Sequence, residues 1–243
     1  MVDSLLLAAA RVATFEETRL LTNASGFFFA RDARLFFVTS RHVMHDEPSG
    51  HAPDRIEIEL HVDAGNLARS TGYSIPLYRD GTALWRQGID GGGAVDVAVI
   101  EIDKSAFPQD TVYRPFTPEH LPDPKASIDV GSALLVVGFP LGFHDTLHHM
   151  PVVRHAVLAS AFGLRFQGEG FFLTDARTDR GTSGAPVVLR DRTRDARHGE
   201  LPWTLLGIHS TRIDVGTRDQ AQDEALGLNG AWYADILLTL TKA

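Results

Sequence analysis

At 243 residues, with 44% apolar and 22% charged side chains, the chain has material for a sizeable core, and β-barrels and sandwiches of this length still form one compact unit. A formal net charge of -8 removes any general attraction to nucleic acid or to anionic membrane surfaces, and no run approaches the roughly 20 apolar residues of a membrane helix. There is no cysteine, so neither disulfides nor thiol chemistry are available.

The N-terminus carries an apolar stretch over 5–10, but Asp3 stands where a secretory leader has basic residues, and Arg11 cuts the run short. A short amphipathic helix leading into the first strand is expected, and with it a cytoplasmic protein. The runs 26–30 and 35–39 are apolar and aromatic, joined by Arg31, Asp32, Ala33 and Arg34, which predicts a hairpin. Ile56, Ile58, Leu60 and Val62 alternate with Glu57, Glu59 and His61, the pattern of a strand with one wet face. A turn at Asp80 and Gly81 and a glycine run at 91–93 lead into the dense strand 95–102. Pro115, Pro118, Pro122 and Pro124 deny the span 112–129 both helix and ladder, so it reads as a linker.

Strand signals then resume at 133–139, 152–159, 170–174, 185–189 and 203–208, with a turn through Pro140 and Gly142 after the first of them. The charged segment 190–200 reads as a solvated hairpin loop, and 232–240 spaces its apolar residues at helical intervals. Many short strands and little helix predict an all-β fold of two barrels. The chain is expected to form one unit: an N-terminal barrel over about 20–112, a linker over 113–130, a C-terminal barrel over 131–229 and a closing helix over 231–241.

The chemistry is concentrated around Ser183, in Gly181-Thr182-Ser183-Gly184-Ala185-Pro186. A glycine two residues before the serine lets the N–H groups of Gly181 and Ser183 point at one spot, as an oxyanion hole requires. A serine hydroxyl needs a base and an orienting carboxylate to attack an amide. His42 ends the apolar strand that runs into Ser40 and Arg41, and Asp96 stands on the rim of an otherwise apolar strand. Hydroxyl, imidazole and carboxylate would divide the work as nucleophile, general base and orienter of the base.

These residues resemble those of a chymotrypsin-fold serine peptidase, nearest to the bacterial trypsin-like and HtrA-type branch. The matching pieces are 38–43 around His42, 96–100 after Asp96, Gly138-Phe139-Pro140-Leu141-Gly142, Thr174 and Asp175, 181–186 around Ser183, and 206–210 as the strand that pairs with substrate. The resemblance implies two perpendicular six-stranded antiparallel barrels with the site between them, a protein or peptide substrate, and no cofactor. Thr182 stands where zymogen-type relatives place an aspartate that pairs with a freed N-terminus, so activation by N-terminal cleavage is not expected. A PDZ domain of the kind HtrA proteases append is not expected after the second barrel, and regulation is expected from an activating protein partner, from oligomerisation or from loops.

For specificity the candidates are Thr178, five positions before the serine, and His209, with Ser210 beside it on the substrate-pairing strand. A hydroxyl and an imidazole hydrogen-bond a carboxylate or amide, and relatives that cleave after Glu or Gln carry a similar pair at matching positions. Arg177 would add positive charge at the pocket base. Among the other histidines, His45 lacks the strand-end context of His42, and His144, His148, His149 and His155 lack carboxylates at a repeated ligand spacing, so no metal is expected. Two other readings stay open. One is a catalytically idle protease fold that binds peptides or serves as a scaffold. The other is an α/β-hydrolase, disfavoured by Ala185 in place of glycine and by the reversed order of the triad.

Overall fold

The computed structural model describes residues 2–194, 200–210 and 227–242. After one 3₁₀ turn at Ser4–Leu7, the N-terminal half contains β1 (Ala9–Glu16), β2 (Arg19–Arg31), β3 (Arg34–Thr39), the one-turn α1 (Arg41–Met44), β4 (Arg55–His61), β5 (Ser70–Pro76), β6 (Tyr78–Arg79), β7 (Thr82–Ala83), β8 (Trp85–Asp90) and β9 (Gly93–Ile102). The C-terminal half contains β10 (Ala133–Gly138), β11 (Val152–Leu158), β12 (Phe171–Ala176), β13 (Pro186–Arg190), β14 (Trp203–Ser210), β15 (Leu228–Tyr233) and the closing α2 (Ile236–Leu240). No helix among the described residues is long and apolar enough to cross a membrane.

The protein is mostly β, as expected, but the two halves close differently. Strands β10-β11-β12-β15-β14-β13 form a closed six-stranded barrel, whereas the N-terminal half is a seven-stranded sheet in the order β5-β4-β1-β2-β3-β9-β8. Its edge strands β5 and β8 share no ladder, so one closed six-stranded barrel and one large sheet are seen where two six-stranded barrels were expected. The additional strand is β1, which pairs with both β2 and β4 and lies ahead of residue 20. Only a 3₁₀ turn stands where the short leading helix was expected.

Three apolar cores explain why several strands read as unbroken hydrophobic runs. One fills the N-terminal half, one the barrel interior, and the largest lies between them. Successive side chains on a strand face opposite ways. On β9, Val95, Val97 and Val99 therefore enter the central core while Ala98, Ile100 and Ile102 enter the N-terminal one. On β12, Phe171 and Leu173 face the centre and Phe172 the barrel interior.

The closing helix is shorter than its apolar pattern predicts. Trp232 and Tyr233 belong to β15, paired with both β12 and β14. The helix α2 sends Leu237 and Leu240 into the central core. Its last carbonyls are gripped by arginines of the N-terminal half: Arg31 donates to Leu238 at 2.6 Å, Arg34 to Thr241 at 2.6 Å and Arg86 to Lys242 at 2.6 Å. Guanidinium groups at a helix C-terminus satisfy orphan carbonyls and oppose the negative dipole end. The linker carries a 3₁₀ turn at Pro118–His120 and single bridges from Val112 and Phe116, without a ladder of its own. The charged loop read over 190–200 lies partly outside the described residues.

Candidate active site

Two side chains of the N-terminal half meet because of strand register. β3 and β9 run antiparallel with Thr39 opposite Ala98, so Asp96 overhangs the end of β3, where the chain turns into α1. His42, the second residue of α1, falls beneath it. The imidazole Nδ1 lies 2.7 Å from Asp96 Oδ2, and the His42 backbone N–H donates to Oδ1 of the same carboxylate at 2.9 Å. From β14 the Ser210 hydroxyl donates to Oδ2 at 2.9 Å. Burial pushes the Asp96 carboxyl up, but the bond and charge of His42, its backbone N–H and the Ser210 hydroxyl hold it below the ordinary carboxylate range. A carboxylate kept ionised there holds Nδ1 as the protonated nitrogen and leaves Nε2 as the basic one.

Ser183 lies in the turn between β12 and β13, buried, with Gly181 at φ +91° and Gly184 at φ +85°. The turn is fastened throughout. Thr182 donates to the Asp179 carbonyl through its N–H at 3.2 Å and its hydroxyl at 2.8 Å, and Ala185 N–H donates to the Thr182 carbonyl at 3.0 Å. Gly184 admits no side chain: a Cβ there would stand 2.9 Å from the Thr39 Cα. The His209 carbonyl accepts from Gly184 N–H at 2.9 Å and from the Ser40 hydroxyl at 3.4 Å, so it joins the neighbour of Ser183 to a residue two before His42. Segments 39–42, 96, 183–184 and 209–210 thereby converge where the two halves meet.

The specificity candidates divide. His209 is fully buried, and neither ring nitrogen has a partner among the described residues. Burial, then the charge of His42, lowers its pKa to about 4, so the imidazole is neutral at neutral pH. Thr178 donates to Asn229 Oδ1 at 2.7 Å, and Asn229 Nδ2 donates to the Ala176 carbonyl at 2.7 Å. His209 pairs with Ala231 on β15, two residues from Asn229, so His209 and Asn229 are diagonal neighbours on one face of the sheet. Arg177, expected at the pocket base, is exposed instead. His45 closes α1 with its N–H on the Arg41 carbonyl at 3.0 Å and has no carboxylate partner among the described residues.

His144 stacks on His149 with ring centroids 5.7 Å apart, and His148 pairs with Asp145 at 2.7 Å. Among the described residues no group of three or more histidines or carboxylates is arranged to hold a metal ion. Sequence reasoning missed Asn229, whose bond to Thr178 joins residues 51 positions apart.

A family model described as trypsin-like peptidase domain matches residues 24–193. Among solved structures, a serine endoprotease from Yersinia pestis is similar over 97% of this chain and 62% of its own, at 18% identity and a TM-score of 0.54. The chain thus spans less than two thirds of that protein's length, and the likeness is one of fold. A protease from M. tuberculosis in its active form aligns over 97% of this chain and 80% of its own, at 14% identity and a TM-score of 0.49. No curated protein matches the chain in sequence.

Proposed function

This chain belongs to the trypsin-like peptidase domain family, and from that membership we propose that it is a serine endopeptidase working through His42, Asp96 and Ser183. Ser183 attacks the carbonyl of a protein or peptide substrate while His42 Nε2 takes its proton. Asp96 keeps the imidazole in the right tautomer and stabilises its cationic form. The N–H groups of Gly181 and Ser183 bind the oxyanion, the amine leaves with a proton from His42, and water hydrolyses the acyl-enzyme by the same steps. In this reading the N-terminal sheet, with an apolar core of its own, takes the place of the first barrel of a chymotrypsin-like pair.

The observation that carries the proposal is the double grip of Asp96 on His42, at Nδ1 and at the backbone N–H, beside the turn that holds Ser183. A side chain that merely filled space there would need neither bond. For the residue before the scissile bond we propose Glu or Gln. The support is a neutral, buried, unpartnered imidazole at His209 on one sheet face with Asn229, itself bonded to the Thr178 hydroxyl. Thr178 and Asn229 spend their donors within the protein, on each other and on the Ala176 and Gly227 carbonyls. The donor offered to substrate is therefore the His209 ring N–H, which suits a side-chain carboxylate or amide and stays unpaired beside an apolar one.

A fluorophosphonate probe tests the nucleophile: it should label wild-type protein at Ser183 and leave Ser183→Ala unlabelled, with peptidase activity falling by several orders of magnitude. Near-normal activity in that variant would refute the assignment. Fluorogenic peptides that differ only before the scissile bond test the pocket, where best turnover after Lys, Arg or Phe would exclude it.

A further inference from the structure

Ser25, on β2, is fully buried where the N-terminal half meets the serine turn. Its four hydrogen bonds reach three other segments of the chain. The Ser25 N–H donates to the Ser183 carbonyl at 2.9 Å, and its hydroxyl donates to the Gly181 carbonyl at 2.8 Å. The same hydroxyl accepts from Phe139 N–H at 2.9 Å, and the Ser25 carbonyl accepts from the Thr39 hydroxyl at 2.7 Å. The fit is close, since a Cβ on Gly138 would stand 2.6 Å from the Ser25 hydroxyl.

The consequence follows from peptide planarity. In a trans peptide the C=O and N–H point in opposite directions, so fixing one aims the other. Ser25 fixes the peptide planes on both sides of the Thr182–Ser183 unit by holding the Gly181 and Ser183 carbonyls. The planes that carry the two oxyanion N–H groups, Arg180–Gly181 just before this pair and Thr182–Ser183 between them, are held by backbone donors. The Arg180 carbonyl accepts from Leu141 N–H at 2.5 Å, which turns the Gly181 N–H away from Leu141. The Thr182 carbonyl accepts from Ala185 N–H at 3.0 Å, which turns the Ser183 N–H away from Ala185. Leu141 is itself two residues from Phe139, the group bonded to the Ser25 hydroxyl. Thr182 spends its hydroxyl on Asp179 within the turn, so no buried charge there awaits a partner.

We propose that Ser25 is the positioning residue of this site, locking the turn 180–184 with both oxyanion amides aimed before any substrate, partner or cleavage intervenes. The inference rests on the peptidase reading above and adds to it a site assembled at rest, governed from the opposite half of the molecule.

The test uses the purified chain and compares wild type, Ser25→Ala and Thr14→Val. The last removes another buried hydroxyl of the same sheet, bonded to Thr22 at 3.0 Å and remote from the turn. Fluorophosphonate labelling, kcat and KM are measured together with two inhibitors of one sequence, a peptide aldehyde that forms an oxyanion and a reduced-bond peptide that has no carbonyl. Wild type should label without additions. Ser25→Ala should lose about 10² or more in kcat and in aldehyde affinity, the cost of one misaimed donor, while KM and the reduced-bond peptide move less than about two-fold. Thr14→Val should change none of these. Should Ser25→Ala fail to fold, Ser25→Cys, with a weak donor at the same place, carries the same split.

Equal losses for both inhibitors, or a Ser25 variant no worse than Thr14→Val, would overturn the proposal and leave the peptidase reading standing. Labelling of wild type only after cleavage or addition of another protein would do the same. No labelling of Ser183 under any condition would remove the peptidase reading, and this inference with it.

Discussion

Asp96 holds His42 at two points of one residue, Oδ2 on the ring Nδ1 at 2.7 Å and Oδ1 on the backbone N–H at 2.9 Å. The second bond settles what Asp96→Asn must do. The backbone donor claims the remaining oxygen of the amide, so the NH₂ group falls against Nδ1 and forces that nitrogen to be the acceptor. Nε2 then carries the proton and cannot take one from Ser183. Turnover should fall by about 10⁴ while the fold and KM persist. A loss below ten-fold would mean that Asp96 merely anchors α1.

Ser210 was expected to pair with substrate through its strand, but its hydroxyl is directed to Asp96 Oδ2 at 2.9 Å. Backbone pairing survives Ser210→Ala; the bond to the carboxylate does not. A hydrogen bond to a charged group is worth about 1.5–3 kcal/mol, so kcat should drop roughly ten-fold or more with KM nearly constant. An unchanged kcat would return Ser210 to a purely backbone role.

The parts of this molecule legible in the sequence are those whose signal is local. His42 and Asp96 stood out because each breaks an apolar strand at its end, and strand ends are where two halves can meet. Ser183 stood out because Gly181 and Gly184 have no reason to flank a buried strand unless the turn needs positive φ. The large N-terminal sheet was not legible, because β1 opens with the short alanine run 8–10, and Arg11 breaks the alternation that marks a strand. The end of β15, Trp232 and Tyr233 included, blended into the closing helix because the strand is buried on both faces, which erases the two-residue period. The role of Ser25 depends on a partner 156 positions away, and nothing nearby announces it beyond a Ser-Gly step before an apolar run.

The contact between the two halves at Gly184 is tight enough to forecast. A Cβ there would lie 2.2 Å from the Ser25 carbonyl oxygen and 2.3 Å from the Thr39 hydroxyl, at φ +85°. Gly184→Ala should therefore cost on the order of 3 kcal/mol, from overpacking and backbone strain together. Gly50→Ala gives the contrast: φ is +70°, but nothing lies within 4 Å of the added Cβ. Its cost should stay near 1 kcal/mol, the strain alone. Urea unfolding of the two variants measures the difference, and equal costs would mean that the halves separate readily at Gly184.

His209 provides a signature in acid. Burial, then the charge of His42, lowers its pKa from 6.5 to about 4. Between those limits the unfolded chain binds a proton that the folded chain refuses, so stability declines as pH falls through the window. At about 1.36 kcal/mol per unit the decline amounts to roughly 3 kcal/mol and is complete near pH 4. Asp96 acts in a different range: held below the ordinary value of 3.8, its contribution is full above that value and is lost only at lower pH. His61 and His120, also lowered by burial, add to the decline in the same direction and remain in any His209 variant. Urea unfolding midpoints at pH 7, 5.5 and 4.5 should consequently fall more steeply for wild type than for His209→Leu. Parallel slopes would show that the imidazole reaches a proton acceptor or water in the folded protein, and the neutral pocket invoked for Glu or Gln would go with it.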